Sequence, residues 1–253
     1  MSPNRNAPSV YAQLVDLLLI QLSNYRWAWR GTVVTGVVAP VMMLLAIGLP
    51  AKQYGTGGLA YVLVGSVVMS LMFQNQNQVA HNFAFMKAMG TLDYFATLPI
   101  HRAIVVVGTV SAFFLLSLPA LGVTLLLGAL FLGVPLAVDP VALLVVPLCA
   151  LPLAGVGALI GLLAPGPQDV GPIALVTTMA MLFVGPVILP PDTLPDWLMA
   201  VSHVSPTNYA ASAIQQVLVG PVTGRLWVDV GVLAALTAVV LWVVGRKVPW
   251  HAR

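Results

Sequence analysis

The chain has 253 residues, of which 60% are hydrophobic and 7% charged, with a mean hydropathy of +1.00. A water-soluble domain carries about 25% charged residues, so this composition excludes an ordinary soluble globule and makes lipid the natural solvent. The net charge of +3 is small and scattered, which argues against nucleic-acid binding, and the single Cys149 excludes an internal disulfide.

The expected fold class is an all-α membrane protein, a single domain of six spans. Met1–Pro8 is polar, and residues 10–29 mix apolar side chains with Gln13, Asp16, Gln21, Asn24 and Arg26. No small-residue cleavage site follows, so a cleavable signal is not expected. Tyr25, Trp27 and Trp29, beside Arg26 and Arg30, suit a headgroup layer. The reading is an amphipathic helix on the membrane surface, with a ragged early start to the first span as the alternative.

A helical span needs about 20 mostly apolar residues. The spans are predicted at Gly31–Leu49, Leu59–Phe73 continuing to about Ala84, Ala103–Leu132, Val141–Leu163, Gly171–Leu189 and Val228–Gly245. Written as numbers they are 31–49, 59–84, 103–132, 141–163, 171–189 and 228–245, with a polar segment at 86–102 and a loop with short helices at 190–226. The third exceeds one crossing and must tilt or project. Pro40, Pro119, Pro147, Pro152 and Pro186 lie inside predicted spans, where neighbours must satisfy the freed backbone groups. Gly157 and Gly161 form a small-xxx-small step that favours close internal packing over dimerisation.

Basic residues set the orientation. With the N-terminus inside, Arg5, Arg26, Arg30, Lys87, Arg102, Arg246, Lys247 and Arg253 are cytoplasmic, and only Lys52 and Arg225 lie outside. This is a positive-inside pattern. Both termini are then cytoplasmic.

No Asp, Glu, Lys or Arg lies near the middle of any span, and Asp229 sits at the outer mouth of the last one. Proton-coupled transporters keep ionisable groups at mid-membrane, so that class is disfavoured. His81, His101, His203 and His251 show no metal-ligand spacing with one another or with Cys149. No GxxxxGK[ST] phosphate loop occurs, so the chain is not expected to hydrolyse ATP or to be an enzyme.

Two polar stretches interrupt the oil. Gln74-Asn75-Gln76-Asn77-Gln78 is followed by His81 and Asn82. On a continuous α-helix Gln74, Gln78 and His81 share a face, with Asn75 and Asn82 beside it. They read either as a polar lining of a translocation path or as a helix extension solvated below the membrane. The ten methionines read as packing filler, although Met42, Met43, Met69 and Met72 suit an adaptable apolar path.

The second stretch is Lys87–Arg102, KAMGTLDYFATLPIHR, which carries Lys87, Asp93, His101 and Arg102 within sixteen residues. Met89, Leu92, Phe95 or Ala96, and Leu98 recur near helical spacing, and Pro99 is a helix stop. It reads as a short amphipathic helix outside the membrane, or as a plain connecting loop.

GTLDYFATLPIHR, placed after the second of six spans, resembles the cytoplasmic coupling segment of ABC-2 type permeases. Gly90, Thr91, Leu92, Phe95, Thr97, Pro99, Ile100 and Arg102 fit, and Leu98 departs by separating Thr97 from Pro99. Ser205-Pro206-Thr207-Asn208-Tyr209-Ala210, then Ala213-Ile214, resembles that family's block between spans five and six. Ser205 suits an N-cap and Pro206 the first helical position, and the resemblance implies a short re-entrant or surface helix near the outer face. It further implies two permease subunits working with two cytoplasmic ATPase subunits, which carry ATP and Mg. The coupling residues would be Lys87, Gly90, Thr91, Leu92, Asp93, Phe95, Leu98, Pro99, His101 and Arg102, with Leu92 and Phe95 the foremost contacts. The implied function is export of an amphipathic, drug-like or lipid-like cargo across the bacterial plasma membrane. The rivals are a proton-coupled transporter without an ATPase and a non-transporting assembly subunit.

Overall fold

The computed structural model describes residues 10–24, 29–51, 55–98, 102–185, 187 and 195–247. Among these the chain is helical, with no strand. The helices are α1 (Val10–Asn24), α2 (Trp29–Ala51), α3 (Gly55–Leu71), α4 (Gln78–Ala88), α5 (Thr91–Thr97), α6 (Arg102–Leu132), α7 (Ala142–Leu163), α8 (Pro167–Val184), α9 (Asp196–Ser202), α10 (Pro206–Leu218) and α11 (Arg225–Lys247). A π-helical turn, Met72–Asn77, joins α3 to α4.

Five stretches among the described residues are long and apolar enough to cross a membrane: Gly57–Ala88, Ala103–Leu132, Ala142–Leu163, Pro167–Val184 and Arg225–Lys247. Tyr11–Ser23 and Gly36–Gly48 are shorter apolar helices. The chain is an all-α, multi-pass membrane protein. Several helices are apolar all round, as expected where lipid covers whatever the bundle does not.

Within the α3–α4 rod the apolar stretch Gly57–Ala88, of 32 residues, is about 48 Å long at 1.5 Å per residue. A hydrocarbon core is only about 30 Å thick, so the rod projects beyond it.

Helix α7 is the axis of the bundle, packing against the π-turn, α4, α10 and α11. Its glycines set the closeness of one contact. A methyl on Gly157 would overlap the Gln76 carbonyl, and one on Gly161 would overlap the Ala80 carbonyl and Phe83. The small-residue step therefore serves packing within the chain.

Helix α1 lies along α6. Its inward stripe is Gln13, Leu17 and Gln21, and Tyr11, Leu19 and Ile20 point outward. The Gln21 amide donates to Thr109 Oγ1 at 3.1 Å and approaches Met86 Sδ at 3.7 Å. The helix is amphipathic with two of its glutamines facing protein, because α6 and α4 supply partners there that lipid lacks. Tyr25, Arg26 and Trp27 lie outside the described residues.

Candidate functional site

The amide run of the second predicted span is where the structure departs most from the sequence reading. The solvated-extension reading is corrected: Gln74, Asn75 and Gln76 are fully buried inside the protein. The Asn75 amide donates to the Leu71 carbonyl one turn back at 3.1 Å. Such a side-chain bond competes with the backbone ladder, and here the ladder widens into the π-turn. Gly36 of α2 leaves room for the Gln74 side chain. The Gln76 amide donates to Thr178 Oγ1 of α8 at 3.2 Å, and Thr178 donates to Asn77 Oδ1 at 3.2 Å. Among the described residues Asn75 Oδ1 and Gln76 Oε1 have no hydrogen-bond partner. The extra residue of the π-turn also breaks the predicted shared face. Gln74 is buried, Gln78 half-buried and His81 exposed.

At the end of the α3–α4 rod, Gly90 adopts φ 69°, a left-handed conformation that glycine takes without strain. Its carbonyl then accepts the Tyr94 amide at 3.0 Å and starts α5. Of the predicted coupling residues, Leu92 is 3% and Phe95 8% exposed, packed in a cluster with Met86, Val79 and Ile104. Their assignment as outward contacts is therefore corrected. They fasten α5 to the bundle through that apolar cluster. Met89, Asp93, Tyr94 and Thr97 form the outward face, and Tyr94 is 62% exposed. Thr91 and Leu98 are half-buried. Pro99 and His101 lie outside the described residues, and Arg102 opens α6. Lys87 turns back on the protein, its ammonium donating to the Leu162 and Ala164 carbonyls at 3.0 Å each.

The opposite end of the bundle is built around α10. Ser205 has N-cap backbone angles and Pro206 holds the first turn, but Ser205 makes no side-chain cap bond. Its hydroxyl instead pairs with Thr207 Oγ1 at 2.6 Å, and Thr207 donates to the Met181 carbonyl of α8 at 3.1 Å. The Tyr209 hydroxyl donates to the His203 carbonyl at 2.8 Å, joining α9 to α10. Far from lying on a surface, α10 is wedged among α3, α7 and α11.

A polar cluster missed in the sequence locks this wedge. Asp229 of α11 is buried, and its Oδ2 accepts from Ser212 Oγ at 2.6 Å and from Gln216 Nε2 at 3.3 Å. Gln216 Oε1 accepts from Thr223 N at 3.1 Å and Thr223 Oγ1 at 2.7 Å, closing the turn before α11. Arg225 Nε lies 4.0 Å from Asp229 Oδ1, an i,i+4 pair whose spacing was the available signal.

Comparison with known proteins follows the same outline. Residues 13–219 match the family described as ABC-2 type transporter. The chain is similar to the daunorubicin resistance ABC transporter permease protein DrrB1 of Streptomyces coeruleorubidus, with 28% identity over 157 residues. That alignment covers 59% of this chain and 53% of the relative, so the chain spans about half the length of the curated relative it matches.

Proposed function

The chain belongs to the ABC-2 type transporter family, and on that premise we propose that it is the permease subunit of an ATP-driven exporter. The family is a membrane transport component and implies association with an ABC ATPase. In our reading two permease copies, or this chain and a sister permease, pair with two ATPase subunits, which bind the ATP and Mg. Both termini face the cytoplasm, and an amphipathic, drug-like or lipid-like cargo moves outward.

One observation carries this reading. Helix α5 is anchored by its own buried Leu92 and Phe95, yet leaves Met89, Asp93, Tyr94 and Thr97 uncovered at the end of a rod too long for the membrane. A small, firmly held helix with an uncovered mixed face suits a socket on a soluble partner. Its attachment to α4 lets partner movement reach the buried π-turn.

The test is co-purification with the ATPase. The double variant Met89→Asp, Tyr94→Asp should stay folded and lose the ATPase. If it retains the ATPase at unchanged affinity, docking through α5 is wrong. Direction and cargo are tested in inverted vesicles, with daunorubicin as a first probe because the relative's name refers to resistance to it. ATP-dependent uptake supports export, and ATP-dependent depletion overturns it.

A further inference from the structure

A cavity of about 150 Å³ opens between α3, α10 and the first turn of α11. It lies beside the Asp229 lock, and the coupling end of the molecule makes no use of it. Its floor is apolar, formed by Val64, Val187 and Ala211. Its polar lining is unequal. Asn208 lines the cavity and is 9% exposed. A side-chain amide offers two donors and an acceptor to a molecule that fills the space.

Arg225 supplies the charge. Its side chain is 69% exposed, and its Nε lies 4.0 Å from Asp229 Oδ1. Asp229 already accepts from Ser212 and Gln216, so the arginine is held lightly and its terminal N–H groups remain available. Gln215 adds a second amide at the exposed rim. Among the described residues no carboxylate lines the cavity, and Asp229 sits behind Ser212. A guanidinium fork and amide donors above an apolar floor match an anionic oxygen group followed by carbon. A cavity of about 150 Å³ is large enough for a benzene-sized body, which corresponds to a headgroup and its first carbons.

We propose that this cavity binds the head of an anionic amphipath, its carboxylate or phosphate on Arg225 and Asn208 and its first carbons on Val64, Val187 and Ala211. The molecule is either a membrane lipid or cargo. The site stands independently of the ATPase reading.

The test uses the full chain in neutral maltoside micelles, with octanoate and octyl phosphate as probes and octylamine and octanol as controls. The thermal midpoint should rise saturably with the two anions and not with the controls. Arg225→Gln should raise the half-saturating concentration at least tenfold, and Arg246→Gln, whose guanidinium stacks on Trp242 at 3.7 Å, should not. Should Arg225→Gln fail to fold, Ala211→Leu fills the cavity while keeping Arg225 and Asp229, and it should abolish the shift. Equal protection by octylamine, or an anion response unchanged in both Arg225→Gln and Ala211→Leu, overturns the proposal. Mass spectrometry of protein taken from its own membrane separates the sources. Anionic phospholipid retained by the wild type and lost in Ala211→Leu identifies lipid. Octanoate protection without retained phospholipid identifies cargo.

Discussion

The Lys87 ammonium donates to the Ala164 carbonyl oxygen at 3.0 Å, just past the C-terminus of α7. The last carbonyls of a helix lack partners within it and carry its negative end. Lys87 satisfies two of them and ties the end of α4 to the end of α7.

Lys87→Met should therefore cost about 1 kcal/mol of stability and leave ATPase binding intact. Thermal denaturation of the purified protein and co-purification with the ATPase check this together. A variant of unchanged stability that no longer binds the ATPase would make Lys87 a docking residue instead.

Gly157→Ala should destabilise the bundle by about 1–3 kcal/mol, because the new methyl meets the Gln76 backbone, which has little room to move. Gly231→Ala on α11 meets nothing within 4 Å and should be neutral or stabilising by up to about 1 kcal/mol. Thermal midpoints of the two variants should thus move in different directions or by clearly different amounts.

Asp229→Leu removes the acceptor for Ser212 and Gln216 at once, and leaving each donor unsatisfied costs about 1–3 kcal/mol. Helix α10 should loosen against α7. Cys149 is fully buried on α7, with its thiol 4.0 Å from the Ala210 carbonyl of α10. As the only cysteine it reports this directly, so a membrane-permeant maleimide should label Asp229→Leu faster than wild type. Equal labelling rates would mean that the lock does not hold α10.

Asn75→Leu removes both the Leu71 side-chain bond and a buried acceptor without a partner. Those effects oppose each other, so stability should change by less than about 1.5 kcal/mol. Transport should fall, because the π-turn loses the bond that favours it. Full transport by this variant would show that the turn serves packing alone.

Long helices were legible because an unbroken apolar run is a signal of length, although among the described residues five stretches, not six, are long and apolar enough to cross a membrane. Helix α6 covers Arg102–Leu132 where the run predicted Ala103–Leu132, and Ser205-Pro206 marked the start of α10. Facing was much less legible. A helix that is apolar all round carries no periodic mark of its inner side. The apolar stripe of α5 marks a face at Leu92 and Phe95 but not what covers it, and polar Gln13 and Gln21 carry no sign that they face α6. The π-turn at Met72–Asn77, where the Asn75 amide donates to the Leu71 carbonyl, leaves no mark in the spacing of the apolar residues. Asp229 was read as a residue at a membrane mouth. Its partners Ser212 and Gln216 lie on another helix, beyond the reach of local spacing.

The π-turn at Met72–Asn77 also fixes a clock angle. Relative to an unbroken α-helix it holds one surplus residue, and each residue of an α-helix advances the chain by about 100° around its axis. Everything beyond it, down to the uncovered Tyr94 side of α5, is rotated by about that amount relative to α3. The compass bearing of that uncovered side is thus written some twenty residues upstream, as the phase of a helix rather than as any residue on the surface.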